Sequence, residues 1–363
     1  MEKSDLHLLL TGLARDFRPW PQIGARFVDE AECLVAVLLA IAVSHLLGIR
    51  NVGWAAFSAY IVIRGSLGES LRRGSLRVLG TGAGVSLAWL LAPELLRSTA
   101  LLSVALALFS AVTLYLALIG RCGYAWLLAG LSFCMVLVDG MGHSGEALSV
   151  FAQSRFLEVC VGAGAAIAVS AVSAVTVRRH VAALSCSAVP TVEVSASQFW
   201  RKAALRHALQ GGFALALVPW VWTAFHFKAL SQSSVTIMAV MMVPVTDLAA
   251  SKHPSSTKLR QRFFGCVTGG LLATGILILS HDSPLLMMLA VSLGVVTGRH
   301  IENGKLGICY VGTQFALAFL VVLVPDCYSH FDIAPGIERL FGILCGMALL
   351  EPVRLIFQWR GIN

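Results

Sequence analysis

The chain is 363 residues long, with 57% of them hydrophobic, 13% charged and a formal net charge of +8. A soluble domain keeps roughly a quarter of its residues charged, so with a mean hydropathy of +0.81 much of this surface has to be solvated by lipid. The basic excess is too dispersed for a nucleic-acid face, and nine cysteines without a C-x-x-C pair exclude a disulfide framework or a thiolate metal site. These limits leave a polytopic, all-α membrane protein.

Residues 1–30 hold no convincing span. Leu6–Phe17 suits an interfacial amphipathic helix or a disordered lead-in, and nothing there has the form of a cleavable signal. A crossing helix needs about 20 mostly apolar residues. The pattern predicts spans near 31–49, 51–64, 77–93, 98–120, 122–139 and 151–177, a short cytoplasmic linker at 179–200, and then spans near 203–226, 229–246, 262–280, 283–299, 306–325 and 335–357. That is about twelve spans, a first six-helix segment over 31–178 and a second over 201–363. With the N-terminus in the cytoplasm, 22 of the 27 Lys and Arg residues fall on the cytoplasmic side and 5 on the far side. The positive-inside rule favours that orientation, which puts both termini in the cytoplasm.

The two segments repeat one another. Arg77-Val-Leu-Gly80 and Gly84 match Arg262-Phe-Phe-Gly265 and Gly269 at one offset. At an offset one residue shorter, Gly120-Arg121-x-Gly123 matches Gly304-Lys305-x-Gly307 and Trp126 falls opposite Tyr310, as Arg155 does opposite Arg339 and Gly162 opposite Gly346. Several motifs in order at one spacing indicate duplication. Six spans per unit is even, so the reading is two parallel six-helix repeats about an axis along the membrane normal.

The run Trp54-Ala-Ala-Phe-Ser-Ala-Tyr60, through Leu71-Arg72-Arg73 into Arg77-x-x-Gly80-Thr81, resembles the fusaric acid resistance and aromatic acid exporter family. Val243-Pro244-Val245-Thr246 leading to Arg262-x-x-Gly265 resembles that family's second repeat. The resemblance implies a bacterial inner-membrane exporter of aromatic carboxylic acids or related toxic compounds; a periplasmic adaptor and a homo-oligomer are candidate partners that the sequence leaves open. The chain departs from many members in having only a short linker where they carry a large cytoplasmic domain.

The candidate residues follow from charge and shape. Gly80/Gly84, Gly265/Gly269 and Gly342/Gly346 form small-xxx-small faces that let backbones approach. Arg77 and Arg262 each open a span, either as snorkelling anchors or as a cationic pair that draws carboxylates. Arg155 and Glu158 stand one turn apart inside a span, where a charge reads as functional by default, Glu158 as a proton carrier or as the structural partner of Arg155. Arg339 repeats Arg155, while Gly342 replaces Glu158. Asp247 and Asp139 are further proton-coupling candidates. Trp54, Tyr60, Tyr124 and Trp126 are either ring-stacking residues or belt residues.

Gly142-x-Ser144-Gly145 matches the intramembrane rhomboid protease signature, but on too few residues to support an enzyme. No nucleotide-binding or metal motif appears, so no cofactor is expected. The leading expectation is a proton-coupled exporter of small organic anions. Its rivals are a passive anion channel, since plant malate channels resemble one such repeat, and a non-transporting scaffold or subunit.

Overall fold

The computed structural model describes residues 20–143, 145–181, 198–226, 230–243, 254–280, 283–304, 307–324 and 334–359. Among them the structure is helical throughout, without a strand. The first half holds α1 (Trp20–Leu46), α2 (Val52–Val62), α3 (Leu67–Leu95), α4 (Thr99–Ile119), α5 (Gly123–Gly140), α6 (Gly145–Val175) and the single turn α7 (Arg178–Val181). The second holds α8 (Gln198–Ala216), α9 (Val218–Phe225), α10 (Ser231–Met241), α11 (Pro254–Leu279), α12 (Pro284–Glu302), α13 (Cys309–Leu323) and α14 (Ala334–Trp359). Each of the twelve segments predicted from hydropathy falls on a helix. Pro219, which has no N–H to give, divides the seventh into α8 and α9. The interfacial segment expected before residue 18 and most of the linker lie outside the described residues.

Among the described residues, eight helical stretches are long and apolar enough to cross a membrane, in Leu67–Leu95, Thr99–Ile119, Gly123–Gly140, Gly145–Val175, Arg201–Phe225, Ser255–Leu279, Pro284–Glu302 and Leu340–Phe357. The chain is a multi-pass membrane protein. Of the other predicted spans, α2 and α10 are helical over only 11 residues each, about 17 Å at 1.5 Å per residue against a hydrocarbon layer of about 30 Å, so the helix alone accounts for part of each. Hydropathy alone ran on into the apolar chain beyond each helix end.

Those two helix ends are fastened in the same way. The carbonyl of Ile63 accepts from Arg299 Nη2 at 3.3 Å and that of Arg64 from Arg178 Nη2 at 3.1 Å. After α10, the carbonyl of Met241 faces His207 Nε2 at 2.8 Å, and that of Met242 accepts from Lys258 Nζ. A carbonyl only accepts, so Nε2 carries the His207 proton. The last carbonyls of a helix lack partners within it and form its negative end, which is where cationic donors bind best.

The chain forms two compact units. One comprises Met1–Gly74, Val161–Thr191 and Gln261–Ile333, and its helices pair as α1 with α2, α12 with α13, α1 with α12, and α2 with α13. The other comprises Ser75–Cys160, Val192–Arg260 and Ala334–Asn363, and in it α4 packs on α5 and α8, and α10 on α5 and α14. Each unit draws on both sequence halves, and α3, α6 and α11 each pass from one unit into the other. Gly48, at φ +63, takes the left-handed conformation just past α1, as Gly307 does at φ +69 ahead of α13.

Glycine sets the closest helix contacts in both units. A Cβ on Gly80 would run into the Ala125 carbonyl oxygen and one on Gly84 into that of Ala129. In the other unit a Cβ on Gly265 would come within 2.6 Å of the Val311 oxygen, and one on Gly269 within 2.5 Å of the Phe315 oxygen. Gly346 meets α10 at Ser233 and Thr236, while the Gly342 carbonyl accepts from Ser233 Oγ at 2.8 Å. Gly162, matched to Gly346 by sequence, meets α2 at Ala55, Ser58 and Ala59.

Gly84→Ala and Gly269→Ala should therefore each lower thermal stability in detergent by about 1–3 kcal/mol, because backbone has to move. Gly164→Ala, where a Cβ meets nothing within 4 Å, should be neutral or slightly stabilising. Equal midpoints for all three would show that the glycine faces are not the contacts that matter.

Candidate functional site

The two span-opening arginines are both buried, at 5% exposure. Arg77 Nη1 donates to the Tyr124 hydroxyl at 2.8 Å; Arg262 Nη1 reaches the Tyr310 hydroxyl at 3.3 Å and donates to Gln314 Oε1 at 2.7 Å. Cys266 Sγ also faces that Gln314 oxygen, at 3.7 Å. The two halves are thus matched one contact deeper than the sequence indicated, and one pairing is corrected. Tyr124, not the exposed Trp126, is the counterpart of Tyr310. The second half has two more residues between its glycine motif and the tyrosine, which is why the fixed offset brought up the wrong aromatic.

The surroundings of Arg262 are neutral: a phenol, an amide and a thiol. Among the described residues no carboxylate pairs with Arg262, and its Nε has no hydrogen-bond partner. A buried, always-charged guanidinium held by neutral donors and acceptors keeps its positive potential available to an anion.

Arg155 and Glu158 are drawn together on α6, with Glu158 fully buried. Arg155 Nη2 pairs with Glu158 Oε2, and Ser154 Oγ donates to Oε1 at 2.8 Å. The guanidinium also faces Met135 Sδ at 3.6 Å and lies 5.8 Å from the Phe151 ring centroid. Asp139, at the end of α5, pairs with His143 Nδ1 at 3.3 Å. Asp247 and Ser144 lie outside the described residues, as does the side chain of Arg339. Trp54 and Tyr60 are buried on α2, at 7% and 0% exposure, so neither stands in an interfacial belt. Trp54 packs on Phe57 at 4.9 Å, and Tyr60 lies beside Arg299, whose Cζ is 5.8 Å from its ring centroid.

Sequence reasoning missed an ion-pair network in the unit that contains α1. Arg299, 2% exposed, holds Asp29 by two bonds, Nε to Oδ2 at 2.6 Å and Nη2 to Oδ1 at 3.0 Å, and also reaches Glu302 at 3.3 Å. Arg64 pairs with Glu302 at 3.0 Å, Arg178 Nε with Glu32 at 2.7 Å, and His300 Nδ1 faces Glu30 at 2.8 Å. Asp29 precedes the expected span 31–49. Burial works to raise its carboxyl, but the hydrogen bonds and charge of Arg299, the Asn303 amide and the charge of Arg178 outweigh that and hold it below its usual value. The available signal was two dense charge clusters, Asp29-Glu30-x-Glu32 and Arg299-His300-x-Glu302, in a chain that otherwise spares its charges.

Removing one partner of a buried pair strands the other. Arg299→Gln and Asp29→Asn should each cost about 3–5 kcal/mol in a detergent unfolding series. The double substitution should cost clearly less than their sum. A strictly additive double would mean that the two side chains are not coupled.

A model of the fusaric acid resistance protein family matches residues 31–207, and a model of fusaric acid resistance protein-like sequences matches residues 220–350. No curated protein and no solved structure matches the chain. The two matches take in nearly every described helix and both buried arginine–tyrosine pairs, and the chain belongs to the fusaric acid resistance protein family.

Proposed function

We propose that the chain is a bacterial inner-membrane transporter that exports small organic anions, aromatic carboxylates foremost, against their gradient by coupling to protons. In this reading the twelve predicted segments form two parallel six-helix repeats with both termini in the cytoplasm, and the chain is not an enzyme. Family membership supports a transport role. The paired contacts Arg77–Tyr124 and Arg262–Tyr310, with matching glycine approaches behind them, support the duplication. The observation that carries the anion is Arg262, buried among neutral groups. A carboxylate arriving there meets a planar fork of donors already oriented by Tyr310 and Gln314. Periplasmic adaptors and self-association belong to the same proposal.

Proteoliposomes loaded with a panel of aromatic carboxylates test it. Arg262→Gln should raise the half-saturating substrate concentration by about tenfold or more, since a charge-assisted hydrogen bond contributes roughly 1.5–3 kcal/mol, while Arg262→Lys should retain part of the affinity. Unchanged saturation in Arg262→Gln, at equal folded yield, would remove Arg262 from the binding site. Rapid flux without a pH gradient would make the chain a channel, and no flux at all would make it a scaffold or subunit.

Coupling is assigned to Glu158, a carboxylate wholly inside the protein on a membrane helix, with Ser154 and Arg155 as its neighbours. Glu158→Gln should stop uphill export and leave substrate exchange in place. Uphill export at the wild-type rate would exclude Glu158. A lost folded yield that Arg155→Gln/Glu158→Gln restores would reduce the pair to a structural one.

A further inference from the structure

Within the unit that contains α1, the end of α6 and α1 are tied at one level. Glu32 accepts from Ser173 Oγ and is gripped by Arg178. Around that tie the two helices leave an open cleft of about 470 Å³, within the roughly 300–1,000 Å³ usual for a ligand pocket. Its walls are Phe27, Val35 and Leu39 on one side and Val172 and Val177 on the other, with Ala31 and Ala168 also in the lining. Phe27, Val35, Val172 and Val177 are 68%, 52%, 62% and 46% exposed. Apart from Glu32, Ser173 and Thr176, the lining is apolar.

The chain flanking this cleft is cationic. Arg26 precedes Phe27, and Arg178 and Arg179 follow Val177. The carboxylate in the lining, Glu32, is taken up by Arg178. Arg26 donates to the His300 carbonyl at 3.1 Å, and its Nε is buried. Arg179 is exposed, and no described carboxylate pairs with either Arg26 or Arg179. An apolar trough flanked by uncompensated guanidinium groups has the charge and polarity order of a phospholipid with a negative headgroup.

We propose that this cleft binds an anionic phospholipid of the bilayer, with an acyl chain between α1 and the end of α6 and the headgroup phosphate on Arg179. A second copy is the poorer occupant, because a two-fold contact through this face would set each cationic rim against its own image. The site involves neither Arg262 nor Glu158, so it stands or falls independently of the transport reading.

The test compares the full-length protein in detergent with added phosphatidylglycerol or phosphatidylcholine at equal mole ratio, reading the unfolding midpoint and the lipids retained in native mass spectra. Phosphatidylglycerol should raise the midpoint about 2 °C or more beyond phosphatidylcholine. Arg179→Gln should remove most of that difference, and Ala168→Phe, which fills the trough, should remove retention of both lipids. Val172→Trp serves the same purpose if Ala168→Phe does not fold. Leu293→Phe, on the exposed face of α12, should change nothing. Equal shifts with the two lipids, or a phosphatidylglycerol preference that survives both Arg179→Gln and the filling substitution, would overturn the proposal.

Discussion

A helix that ends inside the protein, as α2 does at Ile63 and α10 at Met241, leaves carbonyls in need of donors, and both units meet that need. α2 and α10 each end against side-chain donors: Arg299 and Arg178 for one, His207 and Lys258 for the other. Irregular backbone within a membrane protein persists only where such partners are built in. The partners come from distant parts of the chain. Arg299 is 236 residues from Ile63, and Arg178 is 114 from Arg64. Fastening the ends of α2 therefore fixes where α12 and the end of α6 stand within their unit.

The two solutions differ in electrostatics. Arg299 and Arg178 sit in a shell of carboxylates, Asp29, Glu32 and Glu302, that offsets most of their charge. His207 caps its carbonyl through a ring N–H, and Lys258 caps the next one through its ammonium group. The two short helices, one from each sequence half, meet the same requirement with different side chains. The contrast between Arg262, beside Gln314, and Arg77, beside Tyr124, is a second example. Small departures from symmetry of this kind are where two copies of one scaffold can come to do different work.

The helices were legible in the sequence because lipid imposes a long, unambiguous apolar period. Gly80, Gly84, Gly265 and Gly269 were legible as close-contact positions for the same reason: in lipid, only small residues let backbones meet. The pairing of Arg155 with Glu158 followed from helical spacing alone. What the sequence could not carry was partnership over distance. Arg299 and Asp29 are 270 residues apart, and neither periodicity nor the repeat brings them together. Self-similarity records ancestry, not packing, so it could not show that each compact unit mixes helices from both halves. The shortness of α2 and α10 was not legible because hydropathy measures apolarity and not hydrogen-bonded length.

That mixing has a consequence for biosynthesis. When α1 and α2 emerge from the ribosome, Asp29 and Glu30 enter or approach the bilayer without Arg299 and His300, which are about 270 residues away and still to be made. At about 5–20 residues per second, their carboxylates wait on the order of tens of seconds for their counter-charges. α4 and α5 likewise wait for α8 and α10. The nascent chain is thus committed to holding half-built interfaces open until its second half arrives, and neither half made alone contains a complete unit.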